Sequence, residues 1–329
     1  MPKHALPLGG SSRPLLRDAY DRACSVADEV FVLTERQQRP IISGVLPEVD
    51  DDHLILEPVA RGTTNAYGLA ALTLIERRPE AVMLTLPADH VVRGGQKVKN
   101  AVSAAVRAAA ESESLVAIGL KPTFPSTGLG YIQAPRRGPL GTHRVKRFVE
   151  KPDLATARRF LKAGGYYWNV AWFSWRLQVF IEELRRHAPR HLTGLRKVLQ
   201  ARAAGDEAAA AARYARLPIE VVDRSVMEKT DRLLLVPADF DWADIGNWAE
   251  LGARVRADAR GNSVEGESIL VETRDSLVFG GRRLIATIGL EDMIIVDTED
   301  AILVCPRSRA QDVKVVVEAL RRAGKTRYL

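Results

Sequence analysis

An α/β domain with a mostly parallel sheet, followed by a small β-rich domain, is the fold class this 329-residue sequence predicts. Two features carry it. Short apolar runs alternate with helical ones over most of the chain, which implies βαβ units. After about residue 255 the texture changes to short strands divided by turn-formers, spaced roughly 8–12 residues apart. The length also suits one large core plus a smaller one.

The elements follow in order. "VFVLT" (30–34), "LILEP" (54–58), "AVMLTLP" (81–87) and "LVAIGL" (115–120) are short and rich in branched residues, and read as strands buried on both faces. Between them "PLLRDAYDRACSV", "TTNAYGLAALTLIERR" and "KVKNAVSAAVRAAAES" have apolar residues at helical spacing, with Thr63 or Thr64 as N-cap of the second. The Ala-rich stretch 200–218 reads as an exposed helical insertion. "SILVET", "SLVFGG", "RLIATIG", "DMIIVDT" and "AILVCP" supply the strands of the second domain, and "QDVKVVVEALRRAG" closes it as a helix. The domains are thus expected at 1–255 and 256–329.

Composition excludes several classes of function. The 2 cysteines, Cys24 and Cys305, form no CxxC pair, so neither a disulfide framework nor a zinc site is expected and a reducing cytoplasm is the natural compartment. No apolar run reaches the roughly 18 residues needed to span a bilayer, and no signal-peptide core opens the chain. The net charge is +7, yet the basic residues lie scattered on amphipathic helical segments and not in a block, so nucleic acid is not the expected partner. The six histidines show no metal-ligand spacing, and His90 reads as structural.

Four stretches could carry chemistry. "LPADHV" sets Asp89 just beyond a strand, where α/β sheets bind ligands, although a turn or helix-cap aspartate is the plainer reading of that stretch alone. "FDWADIGNW" gathers Asp241, Asp244, Trp242 and Trp248 about Gly246, and an acidic group among aromatic rings needs a partner or a metal. Together Asp89 and Asp244 suggest a two-carboxylate magnesium site. "RFVEKPD" ends a strand with Glu150, suited to sugar hydroxyls, and Lys151, suited to a phosphate; a surface ion pair is the alternative. "YYWNVAWFSWR" places the amide of Asn169 in an aromatic strand, where sugar hydroxyls or backbone groups could satisfy it.

"EPVARGTTNAYGLAAL", "LPADH", "GLGYIQ", "RFVEKPD", "YYWNVAWFSWR", "SVMEKT" and "FDWADIGNW" occur here in the order and spacing of the mannose-1-phosphate guanylyltransferases, and the chain resembles that family over its whole length. The resemblance implies a Rossmann-like nucleotide-diphospho-sugar transferase domain followed by a left-handed β-helix-like domain. It implies transfer of GMP from GTP to mannose 1-phosphate with Mg²⁺ or Mn²⁺, giving GDP-mannose and pyrophosphate. By the same resemblance Asp89 and Asp244 are metal ligands and Lys151 contacts the sugar phosphate. Glu150, Asn169 and the Gly130–Tyr131 backbone form the sugar set, Glu57 and Arg61 lie where the nucleotide is handled, and Lys3 falls on a phosphate-contacting lysine. Within the family's "EPxxRNTAPA" pattern, Gly62 stands for an Asn and Asn65 for a Pro, which leaves the choice of base open.

The family's main triphosphate loop, "LAGGxGTRLWPLS", follows its first strand. "MPKHALPLGG" does not match it, because Pro2 and Pro7 preclude a buried strand before Gly9–Gly10. It matches the segment downstream, which makes Gly9–Gly10 a turn before a helix. The expectation is a chain without that strand and loop, through an upstream start, a true truncation or a degenerate homologue. Such a chain would be less stable and weakly active. A transferase for another nucleotide or hexose 1-phosphate, and a non-catalytic regulatory homologue, stay open as alternatives. The second domain offers strand edges through which a homo-oligomer could form.

Overall fold

The computed structural model describes residues 3–5, 13–244, 257–281, 283–298, 300–325 and 328. It resolves into two compact units, one of Met1–Ala19, Ala88–Val92 and Trp242–Leu329, the other of Tyr20–Pro87 and Arg93–Asp241.

The helix α1 (Leu15–Cys24) precedes a parallel pair, β1 (Val32–Glu35) and β2 (Leu54–Glu57), joined through α2 (Arg39–Val45). There follow α3 (Thr63–Arg77), β3 (Val82–Thr85), β4 (His90–Arg93), α4 (Gln96–Glu111), β5 (Leu115–Leu120), β6 (Tyr131–Gln133), β7 (Arg136–Arg137), β8 (His143–Arg144), β9 (Arg147–Val149), α5 (Leu154–Ala163) and β10 (Tyr166–Arg176). Three helices, α6 (Leu177–His187), α7 (Pro189–Ala203) and α8 (Glu207–Ala215), lead to β11 (Leu233–Ala238) and β12 (Asp241–Asp244).

The larger unit is built on an eight-stranded sheet of order β7-β8-β11-β5-β10-β6-β9, with β3 also against β10. It is mixed and not mostly parallel: β5 and β11 run parallel, but β10 is antiparallel to β3, β5 and β6. The reason is β10 itself, a long strand whose first half pairs β6 and whose second half pairs β3. Its apolar residues, with those of β5, make the centre: β5 is buried along its whole length, as its unbroken apolar run predicts. β1 and β3 are only partly buried, and each pairs one strand among the described residues. The sheet is therefore in two pieces, which reduces the burial expected for both strands.

The helices follow their patterns. α4 sets Ala101, Ala105, Ala108 and Ala109 inward and approaches β5, β10 and β11 closely. Leu69, Leu184, Leu195, Phe180 and Trp175 join Ile55 and Leu115 in the principal core. Two expectations are corrected. The 200–218 stretch is no exposed insertion, since α8 packs on α7 with Ala210 and Tyr214 fully buried. Neither threonine caps α3. Its N-cap is Gly62, and the threonines reach another segment: the Val222 N–H donates to Thr63 Oγ1 (2.9 Å), while Thr64 Oγ1 meets Ser225 Oγ (2.8 Å).

In the other unit β13 (Ser263–Glu265), β15 (Leu277–Phe279) and β17 (Met293–Asp297) stack in parallel, as do β14 (Ser268–Val271) and β16 (Ile285–Ile288). β18 (Ile302–Pro306) returns antiparallel on β17, and α9 (Val313–Arg322) ends the fold. Parallel rungs between short turns are the pattern of a β-helix. Leu277, Phe279, Ile294 and Val296 form its core with Leu15 and Val91. Buried polar groups join the rungs: Asn262 Nδ2 donates to the Thr273 carbonyl (2.8 Å), the Ser276 N–H donates to Asn262 Oδ1 (3.1 Å), and Thr273 and Thr287 share a hydroxyl bond (2.8 Å). Among the described residues no helix is long and apolar enough to cross a membrane.

Asn262 therefore ties its own turn to the 273–276 turn from a position 1% exposed. Asn262→Ala should destabilise the chain by about 2–3 kcal/mol, because it strands a buried N–H and a buried carbonyl. Thermal unfolding followed by circular dichroism measures this.

Candidate functional site

The candidate residues divide between the two units. In the smaller unit, Asp89 ends the turn after β3, and Asp244 ends β12, which pairs with β4. One ligand atom each from Asp89, His90 and Asp244 lie within 4.8 Å of one another. His90 is 4% exposed, edge-on to the Trp242 ring at 5.1 Å, with Nε2 3.9 Å from Asp89 Oδ1. The imidazole is therefore packed against the Trp242 ring and also faces the carboxylates. Two partly buried carboxylates and one imidazole nitrogen are a donor set that fits a divalent cation; the oxygens suit Mg²⁺, and the nitrogen is equally acceptable to Mn²⁺. Lys3 lies in a single 3₁₀ turn, Lys3–Ala5. Gly9–Gly10, Gly246 and Trp248 lie outside the described residues.

In the larger unit Gly130, Tyr131, Glu150, Lys151 and Asn169 come together because β6 lies between β9 and the start of β10. Tyr131 is opposite Val149 on one side and Trp168 on the other. The Asn169 N–H donates to the Gly130 carbonyl at 2.9 Å. A Cβ at Gly130 would stand 2.7 Å from Glu150 Oε2 and 3.3 Å from the Asn169 Cβ, so only glycine leaves this cradle open. Just past β9, Lys151 adopts φ +46°, a conformation uncommon outside glycine and enriched where backbone serves a site. Its Nζ stands 3.6 Å from Glu150 Oε1.

Asn169 sits where β10 breaks register with β5, between Asn169 and Phe173, with Ala171 at φ +55°. Such a bulge re-aims side chains. The Ala171 N–H donates to Asn169 Oδ1 (2.9 Å), and Asn169 Nδ2 donates to Asp223 Oδ1 (2.8 Å). The Glu150 N–H donates to Glu228 Oε1 at 2.9 Å. Asp223 opens a π-turn, Asp223–Met227, that runs into the "SVMEKT" motif (225–230), and Glu228, within that motif, caps the turn. The motif's residue types mark this segment but do not dictate which of its side chains reach the cradle.

Crowding of carboxyl groups changes their acidity. Burial, then the Asp223 carboxylate, raises Glu150 from 4.5 to about 7, with Lys151 opposing and Glu228 adding a little. Burial also raises Asp223, against the Asn169 hydrogen bond. Glu57 and Arg61 are engaged elsewhere. The buried Glu57 accepts from the Tyr214 hydroxyl at 2.5 Å, and burial raises its pKa. The Arg61 guanidinium donates to the Leu217 carbonyl through Nε (2.9 Å) and Nη2. Gly62 and Asn65 belong to the same arrangement. A Cβ at Gly62 would collide with the Glu220 carbonyl, and Asn65 Nδ2 donates to the Arg61 (2.7 Å) and Pro218 (2.8 Å) carbonyls.

Known proteins resemble the chain over nearly its whole length. Residues 1–260 match the nucleotidyl transferase family, and residues 266–320 match the MannoseP isomerase/GMP-like beta-helix domain. The alginate biosynthesis protein AlgA of Pseudomonas aeruginosa is 38% identical over 99% of this chain and 69% of its own length. The mannose-1-phosphate guanylyltransferase of Escherichia coli is 34% identical over 99% of this chain and 71% of its own. A crystal structure from Thermus thermophilus, described as a mannose-1-phosphate geranyltransferase, superposes with a TM-score of 0.83 at 32% identity, over 97% of this chain and 92% of that one.

Two outcomes follow from the geometry. Folding favours the neutral form of Glu150, so this stabilising bias is complete below about 4.5 and is lost as pH rises through about 7. Glu150→Gln, which stays neutral, should raise stability at pH 8 by about 1–3 kcal/mol and lose most of that advantage by pH 5. Denaturant titrations at both pH values read the difference. Gly62→Asn, which restores the residue of the wider family pattern, should cost about 1–3 kcal/mol, because the Glu220 carbonyl must move; a melting temperature equal to the parent's would contradict the close approach.

Proposed function

The chain belongs to the nucleotidyl transferase family, among the mannose-1-phosphate guanylyltransferases, and on that premise we propose that it transfers GMP from GTP to mannose 1-phosphate. A phosphate oxygen of the sugar phosphate attacks the α-phosphorus of GTP in line. The bond from the α-phosphorus to the β-phosphate oxygen breaks, pyrophosphate leaves, and GDP-mannose remains. The attacking phosphate is already ionised at neutral pH, so no catalytic base is needed.

The observation that carries this reading is the cradle of Gly130, Glu150, Lys151 and Asn169: an open backbone position, a carboxyl, a cation and an amide converge on one small volume. Lys151 meets the sugar phosphate as a point charge, and Glu150 and Asn169 bind sugar hydroxyls beside the Gly130–Tyr131 backbone. Asp89 and Asp244, with His90 as an additional donor, would hold a divalent cation, Mg²⁺ or Mn²⁺, which would supply charge neutralisation at the phosphates. Lys3 adds a second positive charge for phosphate. The protein's contribution is positioning and charge, with no covalent intermediate.

Glu57 and Arg61 support the nucleotide side indirectly in this reading, by fixing the turn before α3 through Tyr214 and Leu217.

Pyrophosphate release with GTP, UTP, dTTP and ATP, each against mannose 1-phosphate and glucose 1-phosphate, tests the proposal. GTP with mannose 1-phosphate should be the fastest pair, and chelation by EDTA should abolish it until Mg²⁺ or Mn²⁺ is returned. Release with none of the pairs would overturn the assignment. Asp244→Asn should lower kcat on the order of 10²-fold or more, the scale typical of losing a catalytic charge contact; unchanged turnover would remove Asp244 from the cation site.

A further inference from the structure

The Asn169 side chain can make four hydrogen bonds, two from its N–H donors and two at the lone pairs of its carbonyl oxygen. Two are committed within the protein. The Ala171 N–H, presented by the bulge at φ +55°, donates to Oδ1. One Nδ2 hydrogen goes to Asp223 Oδ1 at 2.8 Å. These two bonds fix which end of the amide is which, because a flipped amide would set N–H against N–H at Ala171 and oxygen against oxygen at Asp223. The second Nδ2 hydrogen has no partner among the hydrogen bonds of the described residues. Nδ2 lies on the Gly130 side, 3.6 Å from where a Cβ at that glycine would stand.

We propose that Asp223 is a positioning residue for sugar-phosphate recognition: it locks the Asn169 amide so that an N–H, and never the carbonyl oxygen, is offered to a hexose hydroxyl in the Gly130 cradle. This deepens the sugar site put forward above and rests on that reading. The chemistry is a donor-only contact, which selects a ligand oxygen with a free lone pair at that point. Glu228 acts on the neighbouring wall in the same way. Its carboxylate accepts from the Glu150 N–H at 2.9 Å and steadies the backbone that carries Glu150 and the strained Lys151.

A merely structural role for Asp223 makes a different prediction. Asp223 is partly buried beside Glu150 and Glu228, and burial disfavours its charge. Removing it relieves like-charge crowding but strands a buried Asn169 N–H, so the two effects on stability oppose each other; a merely structural role would alter the affinities for both substrates together, whereas the positioning role weakens sugar binding selectively.

The experiment compares the full-length protein with Asp223→Ala, the near-isosteric Asp223→Leu, and Asp223→Asn, which keeps an oxygen acceptor. Binding of mannose 1-phosphate is measured by calorimetry, turnover by pyrophosphate release, and stability by thermal melting. We expect Asp223→Ala and Asp223→Leu to bind mannose 1-phosphate about tenfold more weakly, the scale of one hydrogen bond to a charged group. The KM for GTP should stay within about twofold, and Asp223→Asn should recover most of the sugar affinity. Should Asp223→Ala fail to fold, the Leu variant keeps the volume filled and gives the same reading. Unchanged sugar affinity in the Leu variant, or equal changes in both substrates' KM, would overturn the inference, as would a parent protein that binds no mannose 1-phosphate. A parent that binds the sugar phosphate yet releases no pyrophosphate sinks the proposed activity alone, and the variants' affinities still decide the role of Asp223.

Discussion

β10 changes register against β5 between Asn169 and Phe173, and the candidate sugar site depends on that break. An unbroken antiparallel strand would hold Asn169 and Ala171 on the same face with their backbone groups committed to the ladder. With Ala171 at φ +55°, its N–H turns instead to Asn169 Oδ1. The rest of the cradle is arranged about that amide: Gly130 accepts from the Asn169 backbone, and Asp223 accepts from its side chain. The aromatic residues that follow, Trp172, Phe173 and Trp175, are nearly or fully buried and resist relaxation of the bulge. A stiff core and a strained loop edge are two sides of one arrangement.

Charge at the cradle is held under tension. Glu150, Asp223 and Glu228 bring three carboxyl groups to one place with Lys151 as the nearby cation, and burial works against the charge of Glu150 and Asp223. Stability alone would favour neutral residues here. A site that must read hydroxyls beside a phosphate has a use for carboxyl oxygens and for an ammonium, and the cost is carried by the surrounding sheet.

The 57–65 segment shows how departures from a family pattern can be mutually consistent. Gly62 admits the Glu220 carbonyl, Asn65 then bridges the Arg61 and Pro218 carbonyls, and Tyr214 closes over Glu57. The helix α8, whose alanines suggest an exposed insertion, supplies that tyrosine. Alanine is as compatible with a close-packed helix pair as with a solvated one, so composition could not separate the two cases.

Local pattern was enough to locate β2, β5, α3, α4 and β10, since period and branching act over a few neighbouring residues. Residue types were enough, too, to pair Asp89 with Asp244, whereas setting Gly130 beside Glu150, Lys151 and Asn169 drew on the family resemblance and not on local pattern. What the sequence could not decide was the sense of the sheet, the cap of α3, and the partners of each polar atom. Asn169 finds Asp223 across 54 residues and Glu57 finds Tyr214 across 157. Such bonds form only after loop closure has brought distant segments together, and no local preference encodes which of several acceptors will stand within hydrogen-bond reach. The residue types of the site belong to the sequence; the orientation of the Asn169 amide belongs to the packed structure alone.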